Sequence, residues 1–184
     1  MDRTSCMLSP VTSIRLLPLY VLGMLKHRAF IAGQSIRLDS RVAALLLFRS
    51  ASLEVIDLEL YPALYELNHF VENETDPPRL HLSFEHINRN GVYLLDTGSY
   101  VYVYISSNVE ASIIKRLFGV NTFERIDDEA SLFSIMFLKS CNDNFFRFLG
   151  PFEALDNPFS NRVHNFLRKL SIYRSVFAPV ILIR

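Results

Sequence analysis

Residues Ile14–Lys26 read IRLLPLYVLGMLK, an apolar run that stops at Lys26, His27 and Arg28. A membrane span, a signal peptide and a core helix all contain such runs, and they differ in length and flanks. A spanning helix needs about 20 apolar residues, whereas the uninterrupted run Leu16–Leu25 is about half as long. A signal peptide needs a positive start and a small-residue cleavage site. Here Met1-Asp2-Arg3 is neutral and no such site follows Lys26. Pro18 suits the first turn of a helix, where its missing N–H costs nothing. The stretch is therefore expected to be a buried helix from about Pro18 to Ala29, in a soluble cytosolic protein.

A chain of 184 residues, half of them hydrophobic and 15 of them Phe, suffices for one ordinary domain or two small ones. Lys plus Arg number 19 and so do Asp plus Glu. No net field favours nucleic acid or anionic lipid, and binding either would need a local patch. Cys6 and Cys141 lie far apart and in no metal-type spacing. They are either a disulfide or, as the blander reading, two free thiols in a reducing compartment.

Helical spacing continues to about residue 70. Asp39 is placed as an N-cap with Leu38 as its staple, and Val42, Leu45, Leu46 and Arg49 follow at helical intervals. Ser52 caps the next segment, Pro62 breaks it, and a short turn is expected through Ala63–Leu67. The acidic Val71–Pro78, closed by two prolines, has the composition of a linker. The period then changes to that of strands. Val92–Leu95 and Tyr100–Ile105 are β-rich runs joined by Asp96-Thr97-Gly98-Ser99, a hairpin in which Gly98 takes positive φ. Asn108 caps a helix over Val109–Phe118 closed by Gly119. Ser160 starts another with Val163, Phe166, Leu167 and Leu170 inward, and Pro179–Arg184 reads as a buried strand. Asp127–Leu155, with Phe at 133, 137, 145, 146, 148 and 152, has no clean period and reads as an insertion.

Candidate chemistry is sparse. His81, Glu85 and His86 form H-x-x-x-E-H, one residue longer than the inverted zincin motif, and are expected to be solvated. Asp127-Asp128-Glu129 lacks the spaced oxygens and turn glycine of a Ca²⁺ loop. Neither cysteine has a His nearby in sequence, and there is no G-x-S-x-G or glycine-rich phosphate loop. Nothing argues catalysis. Arg162, Arg168, Lys169 and Arg174 form the most basic local group, and 162 and 169 can share a helix face. They are either a wet face opposite the core or a contact for acidic partners or headgroups. Tyr100, Tyr102 and Tyr104 line one side of a strand. They are expected to pack under a helix, or, if exposed, to form a protein-binding surface.

The run Ile14–Lys26, then Asp39–Val42 and Leu60–Tyr65, resembles the helical domain of the COPII cargo-adaptor subunit, the Sec twenty-four family. Ser83–Ile87, Gly91–Gly98, Leu117–Val120, Asn157–Val163 and the closing Pro179–Arg184 resemble that family's gelsolin-like domain. The resemblance implies an α+β fold class. A small all-α helical domain over 1–72 and a linker over 73–80 would precede a gelsolin-like α+β domain over 81–184, incomplete and with an insertion at about 127–155. It further implies a cytosolic coat protein recruited to the endoplasmic reticulum membrane, selecting cargo and SNAREs for vesicles bound for the Golgi. Its partners would be a Sec twenty-three type subunit and cargo or SNARE proteins, with Tyr100, Tyr102, Tyr104, Arg162, Arg168 and Lys169 as the contact surface. No nucleic acid, enzyme activity or cofactor is expected, the family's zinc finger being absent. The trunk and β-sandwich are absent too. Tyr104 and Ser106 stand where the family often has Trp and Gly. The run ends at Val180–Arg184, before the family's last strand and helix, so a truncated or alternatively spliced form is expected. An actin- or calcium-binding gelsolin-like module is the alternative.

Overall fold

A computed structural model of the chain describes residues 15–31, 36–121, 155–172, 174 and 178–183. They fall in two compact units, Met1–Ser50 and Ala51–Arg184. The fold class is α+β, as expected. The Phe-rich insertion, Cys6, Cys141 and Asp127–Glu129 lie outside the described residues.

The first unit holds helices α1 (Leu17–Lys26) and α2 (Leu38–Ser50). Pro18 sits in the first turn of α1, where the chain's chemistry places it. The turn after α1 is tied to α2 by aromatic edges: His27 lies 4.9 Å and Phe30 5.2 Å from Phe48, ring centre to ring centre. Arg41 Nη2 donates to the Ile31 carbonyl at 2.9 Å. The helix at Pro18 is as expected, but its burial is not. α1 has no buried residue; Leu17 is 54% and Leu25 63% exposed. A helix that is apolar on every side needs neighbours on every side, and the described part of this unit supplies only one other helix. Asp39 lies inside the first turn of α2 rather than capping it, a position where its charge suits the helix dipole.

The second unit begins with α3 (Leu53–Leu60), with Ser52 at its N-cap as expected, and Pro62 lies just beyond its end. The turn expected at Ala63–Leu67 is instead strand β1 (Ala63–Glu66). It pairs antiparallel with β2 (Val92–Asp96), Ala63 opposite Asp96 and Glu66 opposite Tyr93. Four residues carry too little periodicity to declare a strand, and the distant pairing partner decides it. The residues read as the end of a helical domain thus join the sheet, and the compact unit starts at Ala51 rather than near residue 73.

A short helix α4 (His69–Glu72) follows β1. β2 then turns into β3 (Val101–Ile105) through Gly98 at φ 82°. A side chain at Gly98 would be strained by that φ and would meet the Val55 carbonyl oxygen at 2.8 Å. Helix α5 (Ala111–Phe118) ends on Gly119 at φ 72°, a left-handed C-cap. Its N-cap is Glu110, not Asn108. Helix α6 (Pro158–Ile172) starts before the expected Ser160. Asn157 Oδ1 accepts from the Ser160 N–H at 2.8 Å, an Asn cap followed by Pro in the first turn. The last strand β4 (Val180–Ile183) runs parallel to β3, giving the order β1-β2-β3-β4.

Alternation splits the sheet into two faces. Val92, Leu94, Val101, Val103, Ile105 and Leu182 meet Ile114 and Leu117 of α5 and Phe159, Val163, Phe166 and Leu167 of α6 in one core. Leu94 and Val103 face each other across β2 and β3 and are both fully buried.

The end of β2 carries a buried charge pair. Arg174 Nη2 donates to Asp96 Oδ2, with side-chain exposures of 5% and 1%. Asp96 Oδ1 also accepts from the Gly98 N–H at 2.9 Å, which holds the hairpin tip. Burial pushes the Asp96 carboxyl above its usual value, and Arg174 and the Gly98 N–H offset only part of that.

Leu94→Ala is expected to lower stability by about 2–5 kcal/mol in urea unfolding. Leu53→Ala, at a residue 77% exposed, should change it by less than about 0.5 kcal/mol. Arg174→Met leaves a buried carboxylate unpaired and should cost about 3–5 kcal/mol at neutral pH. The raised folded value of Asp96 means that its contribution is full below the ordinary value of 3.8 and is lost as pH rises through the folded value. Asp96→Asn should therefore gain stability relative to the native chain as pH climbs through that window, measured by unfolding at stepped pH.

Candidate functional site

Helix α6 presents two stripes. Phe159, Val163, Phe166 and Leu167 are buried. Arg162, Asn165, Lys169 and Ile172 recur at intervals of three and four on another side, with Arg168 beside them. The acidic stretch after α4 lies along that stripe. Arg162 Nη1 donates to the Phe70 carbonyl at 3.1 Å and Nη2 to Glu74 Oε1 at 2.7 Å. Lys169 Nζ donates to both oxygens of Asp76, at 2.8 and 3.1 Å. What composition marks as a linker is therefore a strap laid on a helix.

The strap is fixed at its ends rather than along its length. Phe70 is buried, with its ring 5.6 Å from that of Phe166, and Pro77 is buried, while residues 71–76 between them are all exposed. Glu74 is 85% exposed and Lys169 60%. Exposed pairs of this kind are worth about 0–1 kcal/mol each, so they orient the strap without locking it. Between strap and helix lies a cleft of about 340 Å³ whose lining includes Phe70, Glu74, Asp76, Arg162, Lys169 and Ile172. Ile172, at one end of it, is 70% exposed.

Of the basic residues singled out from sequence, Arg162 and Lys169 do share a face, yet each already holds a carboxylate. Arg168 is exposed, and among the described residues no carboxylate pairs with it. Arg174 leaves the group altogether and pairs with Asp96. The acidic partners, 88 and 93 residues away in sequence, were missed because no local pattern links them to α6. An acidic run and a basic helical stripe of matching spacing were the only signal available.

The tyrosine row departs from expectation. Val101, Val103 and Ile105 take the core face, so Tyr102 and Tyr104 fall on the opposite one. Tyr100 and Tyr104 are 39% and 37% exposed, and Tyr102 is half-buried with its ring 6.0 Å from that of Tyr100. By register Leu95 and Ile181 flank Tyr102, and Ile183 flanks Tyr104. Tyr93, across from Tyr104, is buried: its ring lies over Gly91, where a Cβ would meet it at 2.4 Å, and its hydroxyl accepts from the Asn88 N–H at 2.7 Å. The face is therefore aromatic and aliphatic, with two tyrosines open to a partner.

His81, Glu85 and His86 are exposed, the two imidazole centres 6.4 Å apart. Among the described residues no group of three His, Cys, Asp or Glu side chains is placed to hold a metal ion. No described helix is long and apolar enough to cross a membrane.

Comparison with known proteins matches residues 4–56 to the Sec23/Sec24 helical domain and residues 73–141 to the gelsolin repeat. The mouse protein transport protein Sec24A is 29% identical over 181 residues, covering 94% of this chain and 15% of that protein. Human Sec24B is 32% identical over 131 residues, 66% of this chain and 10% of the relative. The crystal structure of the human COPII-coat protein Sec24c superposes with a TM-score of 0.72 at 23% identity, over 92% of this chain and 20% of that one. The chain thus spans only a small part of the length of the relatives it matches. With a helical domain followed by a gelsolin repeat, in that order and on that fold, this chain belongs to the Sec24 family.

Proposed function

We propose that the chain is a protein-contact module of the COPII vesicle coat, acting in cargo selection and endoplasmic reticulum to Golgi transport. The observation that carries this reading is the match of both domain types, in family order, along nearly the whole chain. Its chemistry is surface complementarity rather than catalysis, with no cofactor and no nucleic acid involved. A Sec23-type inner-coat subunit and the cytosolic tails of cargo or SNARE proteins are its partners, and its place is the cytosolic side of the endoplasmic reticulum membrane as a peripheral protein. Tyr100, Tyr102 and Tyr104 on the open sheet face, and Arg162, Arg168 and Lys169 on α6, are the contact residues. An actin- or calcium-binding gelsolin module is disfavoured, because such a module has no reason to follow a Sec23/Sec24 helical domain.

Co-precipitation from cytosol tests the proposal. The chain should retain the inner-coat partner, and Tyr104→Asp should reduce capture several-fold, because it places an uncompensated charge on a partly apolar contact face. The circular dichroism of this variant should stay unchanged. Capture only by a longer form carrying the upstream domains of the family would overturn the assignment for this chain.

A further inference from the structure

We propose that the cleft between the acidic strap and α6 is a docking groove for acidic peptide segments, which Glu74 and Asp76 occupy in cis. Two carboxylates of an extended stretch already sit on Arg162 and Lys169, so the chain itself displays the ligand chemistry that this helix face accepts. The donors stand two helical turns apart and are backed by Arg168, which is exposed and has no carboxylate partner among the described residues. Ile172, 70% exposed at one end of the cleft, adds an apolar contact. A peptide that pairs two acidic side chains with a neighbouring apolar one would complement all three features.

The strap is built to be displaced. Residues 71–76 are exposed between the buried anchors Phe70 and Pro77, so the middle can lift while the ends stay in the core. The fold beneath does not depend on it, since α6 is held to the sheet by Val163, Phe166 and Leu167. A peptide in trans therefore competes with a cis ligand of the same chemistry, and its apparent affinity falls by the fraction of strap that is closed. This groove deepens the protein-contact reading by naming a partner chemistry for α6.

The test is fluorescence anisotropy on the full 184-residue chain. The probe is a labelled synthetic peptide bearing two acidic residues and a leucine, with its Gln/Asn counterpart as control. Opening the strap with Glu74→Gln and Asp76→Asn should tighten binding of the acidic peptide by about fivefold, the share expected from two exposed ion pairs. Lys169→Glu should abolish binding, and the Gln/Asn peptide should not bind either variant. Since Lys169→Glu could act by perturbing the fold, the swap Glu74→Arg with Arg162→Glu provides a second check. It restores the cis pair with reversed polarity, so it should fold as the native chain does and bind a basic peptide in place of the acidic one. Equal binding of acidic and neutral peptides, or no gain on opening the strap, would overturn the proposal. So would stronger binding of the opened chain to phosphatidylserine vesicles than to the peptide. Loss of peptide binding with inner-coat capture intact would remove the groove and leave the coat assignment standing.

Discussion

The second unit rests on the valine face of β3. Val101, Val103 and Ile105 point into the core, each at or below 4% exposure, and are paired on one side with β2 and on the other with β4. Because side chains alternate along a strand, putting these three inward forces Tyr102 and Tyr104 outward in the same step. The core that α5 and α6 complete and the aromatic face they leave open are therefore one decision. A register slip of one residue would bury the tyrosine hydroxyls and expose the valines, which the packing of Leu117, Val163 and Phe166 does not allow.

The β2–β3 hairpin that sets this register is held at its tip by groups from distant parts of the chain. Asp96 takes the Gly98 N–H, Ser99 donates to Glu59 of α3, and Arg174, from the segment between α6 and β4, donates to Asp96. A buried ion pair is a poor source of net stability, because both partners are desolvated. Its value here is geometric. Only one approach of the 174 segment satisfies the carboxylate, and that approach delivers Pro179 to the edge of β3, where its carbonyl accepts from the Val101 N–H.

Functional surfaces in this chain are those that the core leaves over. The tyrosine face and the basic stripe of α6 are both faces opposite buried stripes, and neither contains an assembled catalytic group among the described residues. That suits a family whose members are named for protein transport. The exposed apolar side chains of α1 have the same origin: Leu17, Val21, Leu22 and Leu25 are what remains when a helix apolar on all sides meets a single neighbour.

Local signals carried much of the fold. Pro18 and Pro62 at helix boundaries, Gly98 and Gly119 at positive φ, and the alternation of Val and Tyr along β3 are all short-range features, and each was legible as sequence. So was the family, because its motifs lie in order along the chain. The Asn157–Pro158 cap was legible too, but Ser160 drew the start of α6 three residues late. What stayed hidden depends on partners far away in the chain. β1 is a strand only because β2 pairs with it, the acidic stretch is a strap only because α6 offers Arg162 and Lys169, and Arg174 leaves its basic neighbours because Asp96 waits in the core. The sequence by itself determined the helices, turns and strand faces, which follow from periodicity and backbone sterics within a few residues. Only the tertiary structure decided which charges are paired and which apolar faces remain open, since both are set by what long-range packing brings alongside.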